Sequence, residues 1–99
     1  MKRSKVIVTD RATASFKRII SGLKEVSLIG GEDARLAILD SIRKLGVNPM
    51  ANSNHARFER LDGEYRKVEV WDYLIYYKVE ESRVIILDII IQPGKKRKR

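Results

Sequence analysis

The first apolar run, Lys5-Val6-Ile7-Val8-Thr9, is made almost wholly of β-branched residues. Such side chains are stiff at χ1 and pack well on a pleated surface, so the run predicts a strand over 5–9. Asp10 follows at the position of a helix N-cap. From there Ala12, Phe16, Ile19, Ile20 and Leu23 recur at helical spacing and define one face of an amphipathic helix. Arg11, Lys17, Arg18 and Lys24 take its other face. Gly30-Gly31 interrupts the pattern, and Glu32 and Asp33 stand where acidic residues favour the start of a second helix. In that helix Ile38, Ile42 and Leu45 form the inward stripe, flanked by Leu36 and Leu39. Gly46 suits the position just past a helix end, and Asn48-Pro49 stops the helix.

Residues 50–56, MANSNHA, are polar and loop-like, and beyond them the period changes to two. A strand can begin over 57–60, 61–63 reads as a turn, and strands are expected over 65–71, 73–80 and 83–91, the last ended by Pro93-Gly94. Strand, helix, helix and then a meander predicts an α+β fold, an N-terminal strand and a two-helix hairpin packed on a small antiparallel sheet. One domain over 1–94 and a basic tail over 95–99 account for all 99 residues. On the last strand, Ile85, Leu87, Ile89 and Ile91 are expected to face the core. That leaves Val84, Ile86 and Ile90 around Asp88 on the other side, an apolar surface suited to a partner.

Charge narrows the choice of partner. Lys and Arg total 21 against 13 for Asp and Glu, giving +8. Five of these cations are the tail KKRKR, so taking them away leaves +3 for the body. A basic body with a more basic tail suits polyanions or an acidic protein segment; a tail that only aids solubility is the alternative. There is no cysteine, hence no disulfide framework, thiolate metal site or cysteine nucleophile. No apolar run approaches the roughly 20 residues that cross a bilayer, and the start lacks the apolar core of a secretory signal, so a cytoplasmic protein is expected.

The segment LDGEYRKVEVWDYLIYYKVEESRVIILDI, in this order of elements, resembles the RelE/ParE superfamily of toxins. Members carry a helical hairpin on a small curved sheet and a basic-x-basic-x-Gly-Asp-Tyr-Arg-x-x-Tyr hairpin with a leucine and glycine before it. Leu61 and Gly63 match the lead-in, Lys67 the first basic position, and Asp72, Tyr73 and Tyr77 the Asp-Tyr and later Tyr; Asn48-Pro49 is also typical. Glu69 stands at the second basic position, Leu74 at the arginine and Trp71 at the turn glycine. No tyrosine or histidine follows the last strand.

The resemblance implies the toxin of a type II toxin–antitoxin system with a small acidic antitoxin as partner. Two activities are open. The favoured one is ribosome-dependent cleavage of messenger RNA, because the hairpin lead-in resembles that branch more; the alternatives are inhibition of DNA gyrase by binding alone and a non-toxic binding protein. Whether the chain is an enzyme therefore stays open, and neither cofactor, metal nor membrane is called for. Cleavage by 2′-hydroxyl attack needs a base, an acid and cations for the phosphate. If Val68 and Val70 face the core, Tyr65, Lys67, Glu69 and Trp71 share the opposite face. Lys67 would then neutralise phosphate, Glu69 act as base and Trp71 stack on a nucleobase; an exposed Lys67–Glu69 pair with Trp71 capping the sheet is the plainer reading. Arg66, out of that register, is a further catalytic candidate, or else a structural partner for Asp88. Tyr76 is the preferred aromatic for ligand contact, with Tyr73 and Tyr77 on the packing face. Arg11, Lys17, Arg18, Lys95, Lys96 and Arg97 are candidate contacts to RNA or a partner. His55, the lone histidine, reads as an exposed loop residue or a proton carrier.

Overall fold

The computed structural model describes residues 4–49, 58–60 and 63–92, the backbone alone for 58–60 and 63. β1 (Lys5–Val8) leads into α1 (Asp10–Val26) and α2 (Leu28–Val47), followed by β2 (Phe58–Arg60), β3 (Gly63–Val70), β4 (Tyr73–Val79) and β5 (Arg83–Ile91). The α+β architecture is as expected: a helical hairpin on one sheet. The five strands run in the order β1-β5-β4-β3-β2. All pairs are antiparallel except β1 with β5, so the sheet is mixed rather than purely antiparallel. The long path through two helices lets the chain return β5 alongside β1 in the same direction, which a tight turn cannot do.

The ends of the helices differ from the sequence expectation. Thr9, not Asp10, caps α1: its Oγ1 accepts the Ala12 N–H at 3.1 Å, and Asp10 falls within the first turn. Ser27 serves both helices. Its N–H closes α1 on the Leu23 carbonyl, and its Oγ accepts the Gly30 N–H at 2.9 Å to open α2. The second helix thus begins before Gly30-Gly31 rather than at Glu32. These glycines are read as a break by propensity, but Gly31 lies where the helices cross. A Cβ there would stand 2.3 Å from Lys24 Cγ and 3.1 Å from the Lys24 backbone nitrogen. Gly46 is likewise inside the helix, not beyond it. Its carbonyl accepts the Ser4 N–H, and a Cβ would meet Val6 Cγ2 at 2.7 Å.

The expected core stripes are present. Ala12 and Ile20 of α1 and Ala34, Ile38, Ile42 and Leu45 of α2 are buried, with Phe16, Ile19 and Leu23 packed beside them. Leu36 and Leu39 face solvent instead. From the sheet, Val70, Tyr73, Ile75, Tyr77, Val84, Ile86 and Ile89 complete the core.

On β5 the expected faces are overturned except at Ile89, which is buried as expected; Ile91, expected in the core, is exposed. Tyr77 pairs with Ile86 while Tyr76 pairs with Asp88, which leaves Leu87 as the extra residue of a β-bulge. The bulge changes the parity of the strand partway along it. Val84 and Ile86 therefore enter the core before it and Ile89 after it, while Ile85 and Leu87 are only half-buried. The predicted apolar outer surface of Val84 and Ile86 does not exist.

Candidate functional site

The β3–β4 hairpin carries most of the candidate residues. Its register sets Lys67 opposite Tyr76, Tyr65 opposite Lys78 and Glu69 opposite Leu74. Alternation then sends Val68 and Val70 to the helical side and Tyr65, Lys67 and Glu69 to the outer face, as the sequence indicated. On that face Lys67 Nζ lies 5.9 Å from the Tyr76 ring centroid, and Lys78 Nζ 5.7 Å from that of Tyr65. The two cross-strand pairs form a checkerboard of ring and cation, each contact worth about 0.5–1 kcal/mol at an exposed site. Leu74, in the place of the family arginine, is buried beside them. Glu69 accepts a hydrogen bond from Gln92 Nε2 at 2.8 Å, tying β3 to the residue after β5.

Trp71 does not join this face. It occupies the first position of the two-residue loop between Val70 and Tyr73, with φ of 54°. A positive φ there matches the twist of the strands and is normally supplied by glycine, the residue that the resemblance leads one to expect. It takes Trp71 out of the strand's alternation and leaves it exposed at the edge of a cavity of about 220 Å³, which it lines with Leu23, Val26, Ser27, Gly30, Ala34, Asp72 and Tyr73. The grouping of Trp71 with Lys67 and Glu69 is therefore corrected.

Arg66 and Asp88 do not meet either. Arg66 pairs with Glu64 at 2.6 Å. Asp88 is held by α1: Arg11 Nε donates to Oδ2 at 3.1 Å, Ser15 Oγ donates to Oδ1 at 2.7 Å, and the Ile89 N–H adds a third bond at 2.8 Å. Burial alone would raise its pKa, but the bonds from Ser15, Ile89 and Arg11 outweigh it and hold the carboxyl below its usual range. Just before this network, the Thr9 hydroxyl is directed at the Ile86 and Leu87 carbonyls of the bulge. Ser15 was missed in the sequence, although a serine between Ala12 and Ile19 on an apolar face is itself the signal of a buried polar partner.

Of the helical cations, Arg11 is engaged by Asp88 and Lys17 and Arg18 are exposed. Tyr73 and Tyr77 are buried as expected, the Tyr77 hydroxyl donating to the Pro49 carbonyl at 3.1 Å. His55, Lys95, Lys96 and Arg97 lie outside the described residues.

The described residues bring together no general acid and base around a cation cluster. Lys67, Glu69 and Arg66 each engage a different neighbour, and the titrating carboxyls that depart from normal all move down. Arg35 beside Glu32 holds that carboxyl at about 2, and Asp40 and Glu80 are lowered chiefly by Lys44 and Lys78. Nor do three or more of His, Cys, Asp and Glu cluster for a metal among the described residues. None of the described helices is long and apolar enough to cross a membrane.

Two comparisons place this arrangement among known proteins. In a solved structure of the chromosomal ParDE toxin–antitoxin system from P. aeruginosa, one chain superposes with a TM-score of 0.67, over 91% of this chain and 97% of that one. The two are 21% identical, so that likeness speaks for the fold. No curated protein matches significantly. Residues 6–92, from β1 to the end of β5, match the model of the ParE toxin of the type II toxin–antitoxin system parDE. With nearly every described element inside that match, the chain belongs to the ParE toxin family of type II toxin–antitoxin systems.

Proposed function

We propose that this ParE-family toxin arrests its cell by binding DNA gyrase in the cytoplasm rather than by cutting messenger RNA, and that a cognate acidic antitoxin neutralises it. The observation that carries the reading is the dispersal of the would-be catalytic set. Lys67 lies over Tyr76, Glu69 holds Gln92, and Arg66 pairs with Glu64. A phosphate between them would have to break three contacts before meeting a cation, a base or an acid. Binding needs no such constellation. Exposed Lys17 and Arg18, the exposed Trp71 and the +8 charge offer contacts to a large anionic assembly such as gyrase on DNA.

Induction in a bacterial host tests this by following labelled thymidine and labelled amino acids together. Thymidine incorporation is expected to fall first. An early collapse of amino-acid incorporation, with thymidine following later, would favour the ribosome-dependent nuclease.

A further inference from the structure

The end of the helical hairpin is apolar and open. Val26 is 87% exposed, Trp71 57% and Ile91 63%, with Leu28 and Ile29 exposed beside Val26. Two cavities run along this end. The first, of about 220 Å³, lies between Val26 and Trp71; the second, of about 240 Å³, is lined by Arg18, Ile19, Gly22, Leu23, Tyr73 and Ile91. They share Leu23 and Tyr73, so they form one groove between α1 and the sheet end. Trp71 is held into it at a φ that costs a non-glycine residue roughly 1–2 kcal/mol. Backbone strain that exposes the chain's single tryptophan, rather than burying it, points to a binding role for the indole.

The rim says what fits. Arg18, Gly22 and Glu25 follow one another at i, i+4 and i+7 and are all exposed along α1. A Cβ on Gly22 would meet nothing within 4 Å, so the helix surface is flat and open there. Among the described residues neither Arg18 nor Glu25 has an ion-pair partner. They stand two turns apart, about 10.5 Å along the axis, with Ser21-Gly22 midway. A two-fold axis through that midpoint would set Arg18 against Glu25 of a second copy, and the reverse. A wholly acidic segment would instead bring like charge to Glu25 and Asp72. Charges of both signs stand at the groove, Arg18 and Asp72 in its lining and Glu25 exposed on α1, although the chain as a whole carries +8.

We infer that this groove is a self-association surface, two copies packing α1 against α1 antiparallel about Gly22, with Val26 and Trp71 of each covered by the other. The contact is isologous, so every residue finds its complement in the same patch. A contiguous exposed apolar patch rimmed by polar residues is the kind of surface that marks a partner site. The dimer covers Arg18 and Trp71, two of the contacts proposed for gyrase, so self-association and target binding would compete for them.

Sedimentation velocity on the purified full-length chain, from low to several hundred micromolar, tests it with Trp71 emission read on the same samples. A monomer–dimer equilibrium is expected, with Trp71 emission shifting to the blue as dimer forms. Arg18→Glu is expected to weaken association about tenfold, and adding Glu25→Arg in the same chain to restore it, since the pair is then only reversed. Gly22→Leu, which has room in the monomer, is expected to abolish the dimer while leaving circular dichroism unchanged. A monomer throughout, with constant Trp71 emission, overturns the inference. So does a dimer indifferent to Arg18→Glu and Gly22→Leu, or an indole shielded only after antitoxin is added.

Discussion

Asp88 shows how a single side chain reconciles an irregular strand with the helix above it. Its carboxylate lies directly after the bulge residue Leu87 and receives hydrogen bonds from Arg11, Ser15 and its neighbour's N–H. Because its folded pKa is depressed, the stability it contributes is present above the unfolded value near 4 and is lost as pH falls through the folded one. Asp88→Asn is expected to cost about 1–3 kcal/mol at neutral pH, the range for breaking a buried polar network. The variant should then lose less stability than the parent as pH drops below about 4. Urea midpoints at neutral and acid pH check both, and parallel acid limbs would remove Asp88 from the account. Lys67 makes the opposite case. Lys67→Ala removes one ring contact of about 0.5–1 kcal/mol, a melting shift of only a few degrees, and is expected to leave growth arrest intact. Arrest abolished with the fold unchanged would put Lys67 in a reacting site.

At the scale of elements, the periodic stretches were legible in the sequence and their junctions were not. Strand, helical hairpin and meander followed from periods of 3.6 and two, because burial on one face imposes those periods directly. Gly31, Gly46 and Trp71 were misread since their roles depend on residues distant in sequence or on a backbone angle. Gly31 is set by Lys24 of the other helix, Gly46 by Val6 of β1, and Trp71 by a φ normally left to glycine. The bulge was invisible for the same reason: in a run as apolar as 84–91, interrupted only by Asp88, no residue type marks Leu87 as the extra position. The candidate site was legible only as an alternation on β3; which neighbour each side chain engages required the register. Two substitutions test these junctions. Gly31→Ala should destabilise by about 1–3 kcal/mol despite its better helix propensity, because the new methyl meets Lys24 backbone as well as side chain. Trp71→Gly should leave thermal stability equal or higher, the relieved backbone offsetting the lost indole contacts. A large fall in melting temperature for the second would mean that Trp71 is a packing residue after all.

At the scale of the whole molecule, the family scaffold is intact while the polar residues usually associated with cleavage are replaced or engaged elsewhere. Glu69 and Leu74 occupy two family basic positions, and the former reaches Gln92 while the latter is buried. The same sheet and hairpin that would hold a nuclease site here present an outer face of paired lysines and tyrosines and an apolar end around Trp71. The antitoxin has the rest of a basic surface to neutralise, and opposite charge would speed that encounter. Purified components separate inhibition by binding from cleavage. The chain would be added in parallel to DNA gyrase with relaxed plasmid and to translating ribosomes with a defined messenger RNA. Supercoiling should be inhibited in proportion to toxin bound, with the messenger RNA left uncut. Cuts in the ribosome-bound message, together with unimpaired supercoiling, would contradict the account.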